Sequence, residues 1–299
     1  KTPKVMGILN ITPDSFYDGG KYNNHKKILK QTEKLCNEGA TFIDIGAYSS
    51  RPGALFVSEE EELKRLIPIV DLISKSFTNL ILSIDTFRSK VMKEAFEVGG
   101  TICNDISAGK LDSKMMSTVA KLKIPYIMMH MVGTPQTMTK NTNYINIIND
   151  LYKYFSNKIT EAKKHKIIDL IIDIGFGFSK TKQQNFLLLK NLDYFNNLGY
   201  PILTGISRKS MIYKTLNCTA KEALNGTTAL NMIALENGTK ILRVHDVKEA
   251  IECVNLFNAL NNHWSVEIGL YLLSLKKKRV DVLKSLLDLN ILNIIDIVL

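Results

Sequence analysis

Short apolar runs alternate along the chain with longer segments in which apolar residues recur every three or four positions. The short runs are typical of buried strands and the longer segments of amphipathic helices, two of which are predicted over residues 182–198 and 221–237. Eight runs occur in chain order: "KVMGILNI", "TFIDIGA", "LILSIDTF", "TICNDIS", "PYIMMHM", "DLIIDIGFG", "PILTGIS" and "KILRVHD". Eight strand-and-helix units in roughly 250 residues predict an α/β fold, a (β/α)8 TIM barrel. A doubly wound open sheet is the alternative, and it needs fewer strands.

A domain boundary is predicted between residues 262 and 263. Residues 1–262 form the barrel, and 263–299 form an apolar, helix-like C-terminal extension that ends in "VDVLKSLLDLNILNIIDIVL". Three interpretations of the extension stay open: helices packed on the barrel or on a second subunit, an amphipathic segment on a membrane surface, or the product of read-through or of a truncated fusion. Lys284, Asp288 and Asp296 make it a poor transmembrane helix.

The formal net charge is +10, but the lysines are spread along helices that have the pattern of solvated faces. This distribution favours an anionic substrate over a nucleic acid, and we expect no nucleic-acid partner. The four cysteines are widely spaced and form no CxxC pair, which is typical of core residues in a reducing compartment. The first ten residues lack the pattern of a signal peptide, so we expect a cytoplasmic protein.

Polar and charged residues gather where the predicted strands end. In barrel enzymes the carboxyl ends of the strands carry the catalytic groups. The residues at or near these ends are Asn10, Asp44, Asp85, Asn104, His130, Asp173, Ser207, Arg208, Arg243 and His245. The sequence therefore predicts a functional site at this end of the barrel.

Asp85 and Asp173 follow apolar strands that leave them poorly solvated, so each carboxylate needs hydrogen-bond donors. Together with the amide of Asn104, they suit the paired N–H groups of a nitrogen heterocycle such as a pterin. The alternative is that each carboxylate accepts bonds from the backbone of neighbouring loops.

Basic residues follow the last two strands, a place where barrels often bind phosphate. "GISRKS" puts Arg208 and Lys209 after the seventh strand, and "RVHD" puts Arg243 and His245 on the eighth. The functional interpretation is that these basic residues bind an anionic leaving group. The alternative for "SRK" is that it forms the solvated start of a helix.

The loop "AYSSRPGALFV" is too long for a plain strand-to-helix turn and has the pattern of a substrate lid.

These motifs resemble those of the dihydropteroate synthase family. The resemblance covers about Val5 to Leu260 and includes, in the family's order, "MGILNITPDSFYDGG", "DIGAYSSRPGA", "SIDTF", "NDIS", "MHMVGTPQTM", "DIGFGF", "SRKS" and "RVHDV". It implies a transferase of folate biosynthesis that condenses 6-hydroxymethyl-7,8-dihydropterin diphosphate with p-aminobenzoate to give 7,8-dihydropteroate and pyrophosphate. It also implies a homodimer and a target of sulfonamides.

The resemblance further implies roles for individual residues. The pterin-binding set is Asp85, Asn104, Asp173 and Lys209, in a pocket lined by Ile8, Ile106, Met129 and Gly205. The p-aminobenzoate side is Ser50, Arg51, Phe178 and Ser210, and the diphosphate side is Asn10, Arg243 and His245, with Asn10 meeting Mg2+ carried by the diphosphate. Lys209, Arg243, His245 and Asp85 are the expected catalytic residues.

The residue types agree with that chemistry. An arylamine is a poor nucleophile, so the barrier must fall mainly by stabilising the departing pyrophosphate, which Mg2+, Arg243 and His245 can do. Asp85 and Asp173 can stabilise the cationic methylene that diphosphate loss leaves on the pterin.

The sequence departs from the family pattern at Ile174, usually proline, at Ser50, usually threonine, and at Ser179, where glycine is common.

Two alternative functions stay open. One is a methyltetrahydrofolate-to-corrinoid methyltransferase, and the other is a catalytically silent pterin-binding scaffold.

Overall fold

The computed structural model describes residues 2–11, 21–48 and 56–261. Eight parallel strands pair in sequence order, and β1 pairs with β8, so that they form a closed barrel. The strands are β1 (Lys4–Asn10), β2 (Phe42–Gly46), β3 (Ile81–Asp85), β4 (Ile102–Asp105), β5 (Tyr126–Met129), β6 (Leu170–Asp173), β7 (Ile202–Thr204) and β8 (Ile241–Val244). Each lies within one of the eight apolar runs, and the predicted barrel is confirmed. The boundary between 262 and 263 stays a prediction, and the extension lies outside the described residues.

Helices connect the strands. They are α1 (Lys21–Asn37), α2 (Glu59–Ser76), α3 (Ser89–Glu97), α4 (Met115–Leu122), α5 (Ile147–Lys164), α6 (Lys182–Lys190), α7 (Ser210–Tyr213), α8 (Leu224–Glu236) and α9, described over 247–261. The helix predicted over 182–198 is divided, because the backbone leaves helical geometry at Asn191 and Leu192–Leu198 continues as a 3-10 helix. The helix predicted from 221 begins three residues later, at Leu224.

Local capping explains where two of the helices begin. The hydroxyl of Ser58 accepts a hydrogen bond from the backbone N–H of Glu61, and four glutamates fill the first turn of α2. Negative charge there offsets the partial positive charge of the helix N-terminus. Thr181 and Gln184 form a reciprocal capping box at the start of α6.

The barrel interior is apolar toward the amino ends of the strands. Its central cluster consists of Met6, Ile102, Ile127, Leu203 and Ile241. Strands of a parallel barrel are covered on both faces, which explains why they occur in the sequence as nearly continuous apolar runs.

Strand register brings the polar strand ends together. Asp85 lies opposite Asn104, Met129 lies opposite Asp173, and Asp44 lies opposite Ser83. The polar residues predicted at the strand ends therefore share one rim of the barrel.

In the part of the chain that the structure describes, no helix combines the length and the apolar character needed to cross a membrane. Cys36, Cys103, Cys218 and Cys253 are free thiols.

Candidate active site

Asp44, within β2, carries a fully buried carboxylate. Its Oδ1 accepts a hydrogen bond from the Ser83 hydroxyl at 2.6 Å, and its Oδ2 accepts one from the amide nitrogen of Asn104 at 3.1 Å. The Nε of Arg243 donates to the same Oδ2 at 2.6 Å. Asp44 therefore joins β2, β3, β4 and β8 and fixes the orientation of two predicted site residues. Asp44 is predicted from the sequence to lie near a strand end, without a role of its own.

Arg243 bridges two carboxylates. Besides its bond to Asp44, its Nη2 donates to Oδ2 of Asp85 at 2.8 Å. Burial raises the pKa of Asp85 to about 7, which the charge of Arg243 opposes and the charge of Asp44 reinforces. Burial alone would lower the pKa of Arg243, but the two carboxylates raise it above its usual value. The guanidinium is thus permanently charged, and Asp85 changes its charge near neutral pH.

Asp173, at the end of β6, is also buried. Its Oδ1 accepts a hydrogen bond from the backbone N–H of Gly175 at 2.7 Å. Burial raises the pKa of Asp173, and the nearby charge of Lys209 is the largest opposing cause. Gly175 has φ +72°, and a Cβ at this position would lie 2.2 Å from the carbonyl oxygen of His130. Only glycine lets this loop pass so close to β5.

Lys209 precedes α7 and points its ammonium group at the loop after β6. Its Nζ donates to the carbonyl oxygen of Phe176 and lies 4.8 Å from the ring centroid of Phe178. Burial lowers the pKa of Lys209 to about 8, a shift that Asp173 opposes and Arg243 reinforces. Asp173, Lys209, Arg243 and Asp85 therefore form one set of electrostatically interacting groups.

A second buried lysine, Lys180, holds the loop after β6 against β5. Its Nζ donates to the carbonyl oxygens of Gly175 and Phe178, both at 2.9 Å, and lies 3.1 Å from Nδ1 of His130. Burial lowers the pKa of Lys180 to about 7 and that of His130 to about 2, so His130 is neutral. Lys180 is not among the predicted site residues, because a lysine between a glycine-rich loop and a helix has the pattern of a solvated residue.

An apolar wall lies beside these charged groups. Ile106, directly after β4, and Met129, at the end of β5, pack together with Met131 and Met138, and Phe178 packs against this cluster. Gly205 is buried just after β7, while Ser210 begins α7 and is half-buried. Ile8 is half-buried within β1. The residues expected to line the pterin pocket and the described part of the p-aminobenzoate side thus all lie at this end of the barrel.

Arg208, after β7, and His245, after β8, have different contacts in the structure. The guanidinium of Arg208 makes a bidentate ion pair with Asp246, with bonds of 2.8 and 2.9 Å, and also donates to the backbone of Ala220. Arg208 therefore braces the loop after β7, and its role in binding an anionic group stays a prediction. His245 lies after β8, where Ser207 Oγ is 3.0 Å from its Nδ1.

The metal and p-aminobenzoate predictions are only partly covered by the structure. Asn10 ends β1 and is half-buried, whereas Ser50 and Arg51 lie outside the described residues. Within residues 2–11, 21–48 and 56–261, no three His, Cys, Asp or Glu side chains are grouped so that they could hold a metal ion. A single amide oxygen at the rim fits Mg2+ that arrives with substrate phosphates.

Two of the departures from the family pattern have visible structural settings. Ser179 adopts φ +46°, a left-handed conformation that favours glycine, yet its hydroxyl accepts a hydrogen bond from the backbone N–H of Val132 at 3.0 Å. This bond offsets part of the conformational cost. Ile174 is fully buried.

Residues 6–245 match the family model of pterin binding enzymes. The chain is 42% identical over 262 residues to the dihydropteroate synthase of Haemophilus influenzae, covering 87% of this chain and 94% of that protein. The Yersinia pestis dihydropteroate synthase, solved with a sulfonamide drug, superposes with a TM-score of 0.82 at 38% identity, covering 87% of this chain and 95% of that one. The Xanthomonas albilineans enzyme, solved with 4-aminobenzoic acid, gives a TM-score of 0.80 at 35% identity, covering 87% and 93%.

Each of these matches spans nearly the whole barrel, including the strand ends that carry the network of Asp44, Arg243 and Asp85. The chain therefore belongs to the family of pterin-binding enzymes that includes dihydropteroate synthase.

Proposed function

We propose that the protein condenses 6-hydroxymethyl-7,8-dihydropterin diphosphate with p-aminobenzoate, giving 7,8-dihydropteroate and pyrophosphate. One observation carries this proposal: hydrogen bonds and charge interactions link five of the expected site residues at one end of the barrel. They are Asp85, Asn104, Asp173, Lys209 and Arg243. The relatives named as dihydropteroate synthases support it at about 40% identity over most of the chain.

The pterin end is built from buried acceptors. The carboxylates of Asp85 and Asp173 would receive the ring N–H groups, because a buried carboxylate gains most from donors that it cannot obtain from water. The amide nitrogen of Asn104 donates to Asp44, so the carbonyl oxygen of Asn104 is the atom that would accept a bond from a ring donor. The side chains of Ile106 and Met129 would pack against the ring.

The diphosphate end is built from cations. Arg243 is held by Asp44 through Nε, and its Nη2 contacts the carboxylate of Asp85. Arg243 and His245 would bind the diphosphate and offset the charge that develops as it leaves. Asn10 would hold Mg2+ carried by the diphosphate, and that ion would supply additional positive charge on the phosphate oxygens.

The carboxylates have a second role during bond breaking. Loss of the diphosphate leaves positive charge on the pterin methylene, which ionised Asp85 and Asp173 stabilise. Since the pKa of Asp85 is about 7, this stabilisation grows as the pH rises through neutrality.

The p-aminobenzoate end lies around Lys209. Its ammonium group lies over the ring of Phe178, and its stem passes 3.2 Å from the position that a Cβ of Gly177 would occupy. Phe178, Ser210 and the stem of Lys209 would hold the arylamine for attack, together with Ser50 and Arg51. The pair "SRPGA" and "SRKS" suits p-aminobenzoate and diphosphate, whereas a corrinoid methyltransferase needs neither, so we retain the synthase.

Three further properties belong to this proposal. The four free thiols support a reducing, cytoplasmic location. The sulfonamide complex of the Yersinia pestis relative supports binding of sulfonamides by this chain. A homodimer is expected from the family resemblance.

The test is pyrophosphate release from the purified protein with Mg2+ and the dihydropterin diphosphate, with and without p-aminobenzoate. We expect release that depends on p-aminobenzoate and is lost in Lys209→Ala. Lys182→Ala is the matched control, because Lys182 is an exposed lysine at the start of α6. Bound pterin without release in the wild-type protein would favour the silent scaffold.

A further inference from the structure

Three backbone carbonyl oxygens converge on the ammonium group of Lys180. Two of them belong to the loop after β6, those of Gly175 and Phe178, and each accepts a hydrogen bond from Nζ at 2.9 Å. The third belongs to His130, directly after β5, at 3.3 Å, and Nδ1 of the same residue lies 3.1 Å from Nζ. Lys180 is almost completely buried. Its ammonium group therefore closes the loop after β6 against the end of β5.

The loop after β6 has a backbone conformation that depends on this support. Gly175, Gly177 and Ser179 all have positive φ, which for Ser179 is a conformation that favours glycine. The carbonyl oxygen of Gly175 accepts both the backbone N–H of Phe178, at 3.1 Å, and Nζ of Lys180. Buried carbonyl oxygens need partners, and strained residues persist only where their surroundings hold them. Loss of the ammonium group would therefore release the loop from this conformation.

The part of the loop that Lys180 holds is the part that contacts Lys209. Nζ of Lys209 donates to the carbonyl oxygen of Phe176 and lies 4.8 Å from the ring centroid of Phe178. The stem of Lys209 passes 3.2 Å from the position that a Cβ of Gly177 would occupy. The two loop carbonyls that Lys180 binds, those of residues 175 and 178, stand at the two ends of segment 176–178. Lys180 thus fixes both ends of the segment that surrounds Lys209.

We propose that Lys180 is a positioning residue for p-aminobenzoate, because it fixes the segment that carries the ring of Phe178 and holds Lys209. This inference rests on the proposed function, which puts Phe178 and the stem of Lys209 on the p-aminobenzoate side. Lys180 acts through these residues, since the three protons of its ammonium group are shared among four protein acceptors and none remains for a substrate.

Lys180 also brings charge to the pterin end of the site. Burial is the main cause that raises the pKa of Asp173, and the charge of Lys180 is one of the causes that lower it. Burial lowers the pKa of Lys180 to about 7, which Asp173 opposes and Lys209 reinforces. Removal of the charge therefore affects both ends of the site. The test must separate the effect of lost charge from the effect of lost position.

Two neutral substitutions make that separation. Lys180→Met and Lys180→Gln both remove the charge, but glutamine keeps two N–H donors on a side chain that is one bond shorter. We expect the KM for p-aminobenzoate to rise about tenfold in Lys180→Met and clearly less in Lys180→Gln, because a displaced positioning group costs at least this much. Lys182→Met is the matched control, since Lys182 is an exposed lysine two residues further along, and its KM should equal that of the wild-type protein.

A double-mutant cycle tests whether Lys180 acts through Phe178. Phe178→Leu keeps an apolar side chain against the cluster of Ile106 and Met129 but removes the ring near the ammonium group of Lys209. If Lys180 positions that ring, its loss matters less once the ring is gone. Adding Lys180→Met to Phe178→Leu should then raise the KM by about threefold or less, because contributions made through a shared group are not additive.

The outcomes are distinct. An unchanged KM in folded Lys180→Met overturns the proposal, and so do equal KM values in the Met and Gln variants, which would show an effect of charge alone. Additive effects in the cycle overturn it as well. If Lys180→Met does not fold, Lys180→Gln takes its place in the cycle.

Binding of p-aminobenzoate to the complex with pterin and pyrophosphate, measured by calorimetry, gives the same comparison without turnover. A wild-type protein that binds p-aminobenzoate and does not turn over would refute the proposed function and still allow Lys180 to be judged. A wild-type protein that does neither would overturn both.

Discussion

Asp44 is the residue whose removal most directly tests the electrostatic account of the site. Asp44→Asn keeps the shape of the side chain but removes its charge and replaces one acceptor with a donor. The bond from Nε of Arg243 is the main loss. A hydrogen bond to a charged group contributes about 1.5–3 kcal/mol. Because Arg243 keeps its bond to Asp85 and its side chain is 19% exposed, we expect a loss of about 2 kcal/mol in the free energy of unfolding. That corresponds to a fall of about 4–8 °C in Tm.

The same substitution should change the pH dependence of pterin binding. Burial is the main cause of the raised pKa of Asp85, about 7, and the charge of Asp44 raises it further. Removing that charge lowers the pKa of Asp85. Ionised Asp85 is the form that accepts the ring N–H groups, so affinity falls as the pH drops through this pKa. The wild-type protein should lose affinity below about pH 7, and Asp44→Asn should retain it to a lower pH.

The assay is calorimetric measurement of the Kd for the dihydropterin diphosphate from pH 5 to pH 9. Ser83→Ala is the matched control, because it removes the 2.6 Å bond to Asp44 and leaves the charge in place. The control should weaken the fold without moving the acid limb. An acid limb at the same pH in Asp44→Asn and in the wild-type protein would refute the coupling between the two carboxylates.

Three other substitutions test separate parts of the account. Asp173→Asn should weaken pterin binding by about 1.5–3 kcal/mol, because an acceptor facing ring donors is lost, and unchanged calorimetric affinity would exclude that role. Arg243→Ala should lower kcat more than it lowers pterin affinity, whereas equal losses would indicate simple ground-state binding. Tyr126→Phe removes a 2.7 Å bond to the buried carboxylate of Asp105 and should cost about 1–3 kcal/mol of stability in urea unfolding with kinetics intact. Altered kinetics at equal substrate saturation would place Tyr126 in the site.

The strands were predictable because burial on both faces leaves little room for polar residues between their ends. The start of α2 depends on local capping chemistry, because the hydroxyl of Ser58 accepts a hydrogen bond from the backbone N–H of Glu61. The division at Asn191 and the four-residue helix α7 were missed, since neither changes the spacing of apolar residues over a useful length.

The site was predictable where a polar residue ends an apolar strand. Asp85, Asn104 and Asp173 are examples, because burial and position together imply a ligand or a hydrogen-bond network. Lys180 was missed because its burial comes from the return of the loop after β6 onto β5. The position of Asp44 was predicted, but its partners come from β3, β4 and β8, which no local pattern specifies.

Arg208 has a partner that its position in the sequence does not indicate. Its position after the seventh strand implied phosphate binding, yet Asp246, far along the chain, occupies its guanidinium. Its neighbour Lys209 turns instead to the loop after β6. Adjacent basic residues can thus face different partners, and only the fold distinguishes them.

The central claim is that side chains at the carboxyl ends of the barrel strands bind both substrates and catalyse their condensation. The measurement that tests it most directly is the amount of 7,8-dihydropteroate, determined by mass spectrometry, against the amount of pyrophosphate released in the same reaction. The account predicts one dihydropteroate for each pyrophosphate and neither product from Lys209→Ala. Pyrophosphate release without dihydropteroate, or full product formation by Lys209→Ala, would contradict it.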